Sequence, residues 1–220
     1  MKILYNYLSL VALGSFNPAI LTLDFLNNVC KLDLGDLTGQ SPSEIPVHRR
    51  LDFNRLHFIV DIERFQIREE GIDEKEFRES KQLEYFDAYY QKLPYTPLKA
   101  IGMNINVNLE IEKIDAENLF NKTQTPKTYL DFFSVSEIEV EEISLHTNTE
   151  KVWKGSNYCI KKQNDLTRRI NSTRNENSVI LNYNAEAGNL RKDLAQYDLL
   201  INRYSQICDE FTDFIKHLEV

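Results

Sequence analysis

Apolar positions along this chain follow two rhythms, one of period two and one that alternates steps of three and four. The clearest period-two run places Ile101, Met103, Ile105, Val107, Leu109 and Ile111 on one side. Gly102, Asn104, Asn106, Asn108 and Glu110 fall on the other. Such alternation predicts a strand with one buried and one polar face, hence an antiparallel sheet covered on one side. Residues 2–13 are apolar at both parities and predict a strand near the middle of that sheet. Residues 47–69 predict a hairpin around Asp52-Phe53-Asn54-Arg55. Their apolar parity then flips, which a β-bulge near Glu63-Arg64 would reconcile. Further strands are predicted over 128–134, 137–146, 150–161 and 178–184, with a second bulge at Glu141-Glu142.

The other rhythm dominates the C-terminal stretch. Leu190, Leu194, Tyr197, Ile201, Tyr204, Cys208, Phe211, Ile215 and Leu218 form an unbroken seam, widened by Leu200, Ile207 and Phe214. One helix over 189–218 is predicted, roughly 45 Å long at about 1.5 Å per residue. A helix of that length overhangs ordinary strands, so Phe211, Phe214 and Leu218 are expected to meet a second copy of the chain. Pro18 and Thr22 each suit the start of a short helix, and residues 115–121 suit another. Asp73-Glu74-Lys75-Glu76 has the capping-box arrangement for a helix ending at Pro94. The expected architecture is α+β: a single domain over residues 1–220, with an antiparallel sheet, helices packed on one face and a long C-terminal helix. Residues 33–46, rich in Gly, Pro and Asp, predict a mobile loop. Residues 163–177, polar throughout, predict a polar hairpin loop.

Composition narrows the function. At 42% hydrophobic residues the chain can build a real core, which excludes global disorder. A net charge of −8 argues against wholesale binding to nucleic acid or anionic membrane. No apolar run reaches the roughly 18 residues of a membrane-spanning helix, so no membrane partner and a cytoplasmic location are expected. Cys30, Cys159 and Cys208 are odd in number and lack CxxC spacing, and His48, His57, His146 and His217 share no ligand spacing. No metal and no cofactor are therefore expected. Asp61, Glu110, Glu112 and Lys113 lack the spacing of a metal-dependent nuclease, and neither a Gly-rich phosphate loop nor a GxSxG elbow is present. No catalytic residue is assigned, and an enzyme is not the expected reading.

Gly14-Ser15-Phe16-Asn17-Pro18-Ala19-Ile20, and Thr96-Pro97 followed by Ile101-Gly102-Met103-Asn104, resemble recurrent features of a group of uncharacterised bacterial proteins. The resemblance covers two short motifs in the first half of the chain and implies no activity.

Two surfaces remain as candidate sites. Asn104, Asn106 and Asn108 offer amide donors and acceptors at intervals of roughly 7 Å on one sheet face, suited to peptide, sugar or nucleic acid. Lys151, Lys154, Lys161, Lys162, Arg168, Arg169 and Arg174 form a basic run in an otherwise acidic chain, suited to an acidic protein surface or to nucleic acid. The reading that follows is a non-enzymatic interaction or adaptor subunit of a bacterial-type protein assembly, with a protein partner or a homo-oligomer. The alternative is a nucleic-acid-associated protein, binder or metal-dependent nuclease, that uses residues 151–174.

Overall fold

The computed structural model describes residues 1–41, 47–93, 95–142, 152–162, 165–188 and 195–219. Within them an eleven-stranded antiparallel sheet runs through the molecule together with α-helices, an α+β architecture. The first half of the chain supplies β1 (Lys2–Gly14), a 3-10 turn (Pro18–Ile20), a π-helical turn (Phe25–Val29), β2 (Gly39–Gln40), β3 (His48–Phe53), β4 (Leu56–Asp61), β5 (Arg64–Ile72), α1 (Glu74–Arg78) and α2 (Gln82–Tyr90). The second supplies β6 (Leu98–Glu110), α3 (Lys113–Thr123), α4 (Pro126–Phe133), β7 (Glu139–Glu142), β8 (Trp153–Lys154), β9 (Asn157–Ile160), β10 (Thr167–Asn175), β11 (Ser178–Ala187), α5 (Ala195–Asn202) and α6 (Tyr204–Glu219). In space the order is β2-β3-β4-β5-β1-β6-β11-β10-β9-β7, with β8 also on β10.

The two halves repeat one topology, although no repeat is visible in the sequence. Each opens with a strand of 13 residues, makes helical turns, crosses to the outer edge of the sheet and meanders inward until its last strand lies beside the first. Each then closes with two helices. The two long strands, β1 and β6, pair with each other at the centre of the sheet.

The alternation in β6 places Ile101, Met103, Ile105, Val107 and Leu109 at no more than 1% exposure. Their cross-strand partners Leu8, Leu10 and Ala12 on β1 and Leu181, Tyr183 and Ala185 on β11 are equally buried. Helical aromatic rings complete this layer. Tyr89 and Phe86 stack on Phe65 at 4.1 and 5.3 Å, Phe77 stacks on Tyr5 at 4.7 Å, and Phe211 meets Tyr183 edge-on at 5.4 Å.

Several local signals act as their chemistry dictates. The Asn17 side chain accepts from the Ala19 N–H at 3.0 Å and Thr22 Oγ1 from the Phe25 N–H at 3.0 Å. Asp73 and Glu76 form a complete capping box. The register of β7 shifts between Val140 and Glu142, where the second bulge is expected.

Other expectations are corrected. The parity flip after Ile62 is a tight turn, not a bulge: Val60 pairs with Phe65, and the Asp61 carboxylate accepts from the Glu63 N–H at 3.0 Å. Residues 128–133 belong to α4, with Ser134 as its left-handed cap, because Pro126 opens a first turn and Tyr129 and Phe133 stand one helical turn apart. Of the one strand expected over 150–161, residues 150 and 151 lie outside the described residues and the rest yields two short strands, β8 and β9. The helix after Asp73 divides into α1 and α2, and Pro94 lies outside the described residues. Residues 167–175 of the expected hairpin loop are a strand, β10, because Ile170 and Ser172 pack into the core and Arg168 is neutralised there. The loop expected over 33–46 contains β2, with 42–46 outside the described residues. The C-terminal seam forms α5 and α6 on either side of Arg203, with Leu190 and Leu194 outside the described residues. Phe211, Phe214 and Leu218, expected at a surface between copies, are buried in the chain's own core, Phe214 among Tyr129, Phe132 and Phe133.

Candidate functional site: the polar face of the sheet

Directly paired residues of neighbouring strands point to the same side of a sheet. The register therefore carries a row of side chains across the molecule. In the first half it runs Asp52, His57, Arg68, Ser9 from β3 to β1. In the second it continues Asn104, Asn184, Arg169, Cys159, Glu139 from β6 to β7. An adjacent row on the same side runs Glu70, Tyr7, Asn106, Asn182, Asn171. This is the polar face announced by the asparagines of β6.

The amides of this face are wired together. Asn6 Nδ2 donates to Asn106 Oδ1 at 2.6 Å, Asn106 donates on to Asn182, and Asn182 Nδ2 donates to Asn171 Oδ1 at 2.9 Å. Asn6 joins because the β1–β6 register slips between Tyr5 and Tyr7, so the bulge turns one extra side chain toward the amides. Beside this chain Asn184 Nδ2 donates to Asn104 Oδ1 at 2.7 Å. Gly102 makes room for it, since a Cβ there would lie 3.2 Å from Asn184 Nδ2.

A cavity of about 310 Å³ opens against these side chains, lined by Tyr7, Asn104, Asn157, Arg169, Asn171, Asn182 and Asn184 together with Ile105 and Tyr183. On this face Ser9 Oγ, Arg68 Nε, Asn108 Oδ1, Asn157 Oδ1 and Asn184 Oδ1 are buried with no hydrogen-bond partner among the described residues.

Charges flank the amides but are already paired. Arg169 Nε meets both Glu141 carboxylate oxygens at 3.0 and 3.1 Å, and its Nη1 bonds Glu186. Burial opposes the Arg169 charge, but the Glu186 and Glu141 bonds outweigh it and hold its pKa above the ordinary arginine value. At the other end Asp52 holds Arg50 at 2.6 Å and His57 Nδ1 at 2.6 Å. Burial pushes the Asp52 carboxyl up, yet those two bonds leave it below the usual carboxylate range. Arg68 lies over the Tyr7 ring at 4.1 Å and is ion-paired with Glu70 at 2.8 Å.

Ligand atoms of Glu139, Glu141 and Cys159 lie within 4.8 Å of one another, the spacing of a metal site. The chemistry does not fit a cation. Lys161 already sits 2.6 Å from Glu139 and Arg169 holds Glu141, while burial and a bond to Glu141 push the Cys159 thiol up to about 11.

The basic run does not form one surface. Arg168 and Arg174 point to the side opposite Arg169, as alternate residues of a strand must. Arg168 is buried on Glu210 and Asp165, and Arg174 lies between Glu117 at 3.3 Å and the Trp153 ring at 3.9 Å. Lys154 and Lys162 are exposed, and Lys151 lies outside the described residues. Asn104, Asn106 and Asn108 do share one face, with Asn106 the most buried at 8%. Sequence reading missed Tyr7, Ser9, Asn171, Asn182 and Asn184. Asn182 and Asn184 were marked by the same polar alternation that marks β6.

No protein-family model matches the chain, and no curated protein matches it. No helix among the described residues is long and apolar enough to cross a membrane.

Proposed function

We propose that this chain is a non-enzymatic interaction protein, a subunit or adaptor, and that the polar face of its sheet is the contact surface. In this reading the helices occupy the apolar side, where Phe77, Phe86, Tyr89 and Phe211 meet the sheet, and the opposite side serves recognition. The observation that carries the reading is the amide-wired row across β1, β6, β11 and β10, with buried oxygens that lack partners. Natural cores satisfy such atoms, so amides that lack partners among the described residues gain hydrogen bonds if contact with a partner lets them turn outward. The paired charges at both ends favour contact by hydrogen bonding over charge attraction. The nucleic-acid alternative loses its main support, because Lys161, Arg168, Arg169 and Arg174 all have acidic partners within the chain.

The test is site-specific photocrosslinking in cells of the native source. A crosslinker at Asn171 or Glu186 is expected to trap one and the same partner, and a crosslinker at the fully exposed Tyr95 is not. Equal labelling from all three positions, or none from the polar face, removes the reading.

A further inference from the structure

We infer that the 310 Å³ cavity over β6, β11 and β10 is a binding site for a small neutral polyhydroxyl ligand, a mono- or disaccharide. The inference rests on the polar face being the recognition surface, and it names what the centre of that face recognises. Three observations select the ligand class.

The first is hydrogen-bond polarity. Asn157 and Asn184 line the cavity, and their Oδ1 atoms lie beneath its surface with no donor among the described residues, so a small turn of either amide presents an acceptor as well as a donor. A phosphate or carboxylate brings only acceptors and would leave them unmet. A hydroxyl both donates and accepts, so one sugar ring can serve these oxygens and the amide N–H groups beside them. The second is charge. Arg169 is the cationic side chain of the lining, and Glu141 and Glu186 already neutralise it. No unpaired cation among the described lining residues is left to attract an anion. The third is shape and polarity. The volume is at the lower end of the roughly 300–1,000 Å³ of small-molecule sites, and the wall is mainly amide. An apolar ligand would strip water from those amides without replacing its hydrogen bonds. Tyr7 adds an aromatic side chain to the lining, with the Arg68 guanidinium covering one face of its ring at 4.1 Å.

Side-chain amide NMR of the full chain tests this. Glucose, N-acetylglucosamine and maltose are titrated separately, with glucose 6-phosphate as the anionic control. At least one neutral sugar is expected to shift the Asn171, Asn182 and Asn184 amide signals saturably, with a millimolar Kd and with glucose 6-phosphate no tighter than glucose. Asn182→Leu removes the middle of the amide chain and is expected to weaken binding about tenfold, the effect of one lost hydrogen bond. If that variant fails to fold, Asn171→Ala at the end of the chain replaces it, with the same expectation. No saturable shift below roughly 100 mM sugar, tighter binding of the phosphorylated sugar, or full affinity in the folded variant overturns the inference. A sugar-silent cavity with a partner still crosslinked from Asn171 defeats this inference alone, whereas loss of both defeats the interaction surface as well.

Discussion

Arg168 sits on β10 at 3% exposure, with Glu210 at 3.0 Å, Asp165 at 3.0 Å and the Leu166 carbonyl at 2.6 Å. The Tyr183 hydroxyl donates to the same Glu210. A buried guanidinium is tolerable only when it is matched in this way, and removing one partner strands the others. Arg168→Met is therefore expected to cost about 3 kcal/mol in denaturant unfolding, and Arg168→Met with Glu210→Leu less than that. Additive losses would show that the two side chains do not act as a pair. Asp165 adds a pH dependence. Burial pushes its carboxyl up, but Arg168 and Arg203 outweigh burial and leave it below the ordinary value. A depressed folded pKa stabilises the fold above the unfolded value of about 3.9, and that stability is lost as pH falls through the folded value. Asp165→Asn should lower Tm at pH 7 and flatten the acid side of the Tm–pH curve. An unchanged acid limb would assign acid unfolding to Asp52 and Glu141, whose carboxyls are depressed in the same direction. None of this pairing is legible in the sequence, where Arg168 reads as one of seven basic residues and Glu210 lies 42 positions away. Local charge patterns report composition, and only the fold brings acid to base.

At the scale of elements, period-two alternation is the strongest signal in the chain. It gives β6 with the correct buried parity, and in β1 apolar residues at both parities mark a central strand. Helix continuity is not legible in the same way. The seam of Tyr204, Cys208, Phe211, Ile215 and Leu218 reports which face is buried, and the face continues across Arg203 although the helices divide there. Nor does the seam say what covers it. Phe214 is covered by Tyr129, Phe132 and Phe133 of α4, a segment whose aromatic residues resemble a strand until Pro126 is read as a helix start. Truncating Phe214 thus opens a cavity inside the chain. Phe214→Ala is expected to cost about 3–5 kcal/mol with no change in sedimentation of the folded fraction. A small stability loss accompanied by dissociation would instead restore a self-association role for α6.

For the whole molecule the governing feature is the duplicated topology about the β1–β6 seam. The repeat is hidden from sequence because the halves share an arrangement and not residues: helical turns of three and five residues in one occupy the place of helices of eleven and eight in the other. The two stretches singled out by resemblance meet at this seam. Gly14 pairs with Leu98, and a Cβ on Gly14 would lie 2.5 Å from the Pro97 carbonyl oxygen. The seam is long, running from Lys2–Glu110 to Gly14–Leu98, and it buries Leu8, Leu10, Ala12, Met103 and Ile105. Helices reinforce it: Phe77 meets Phe211, Arg78 bonds Asp209, and Tyr197 donates to Asp87 at 3.2 Å. The covalent link contributes little by comparison, since Tyr95 is 96% exposed. Breaking the chain between Tyr95 and Thr96 should therefore leave the fold intact when both fragments are present. Co-expressed 1–95 and 96–220 are expected to elute as one species and to unfold together. Either fragment alone bares a strand edge of 13 residues, a template for pairing with another chain, and should aggregate or self-pair. A monomeric, folded 1–95 fragment would show instead that each half closes its own core, and that the amide row across β1, β6 and β11 joins two independent modules.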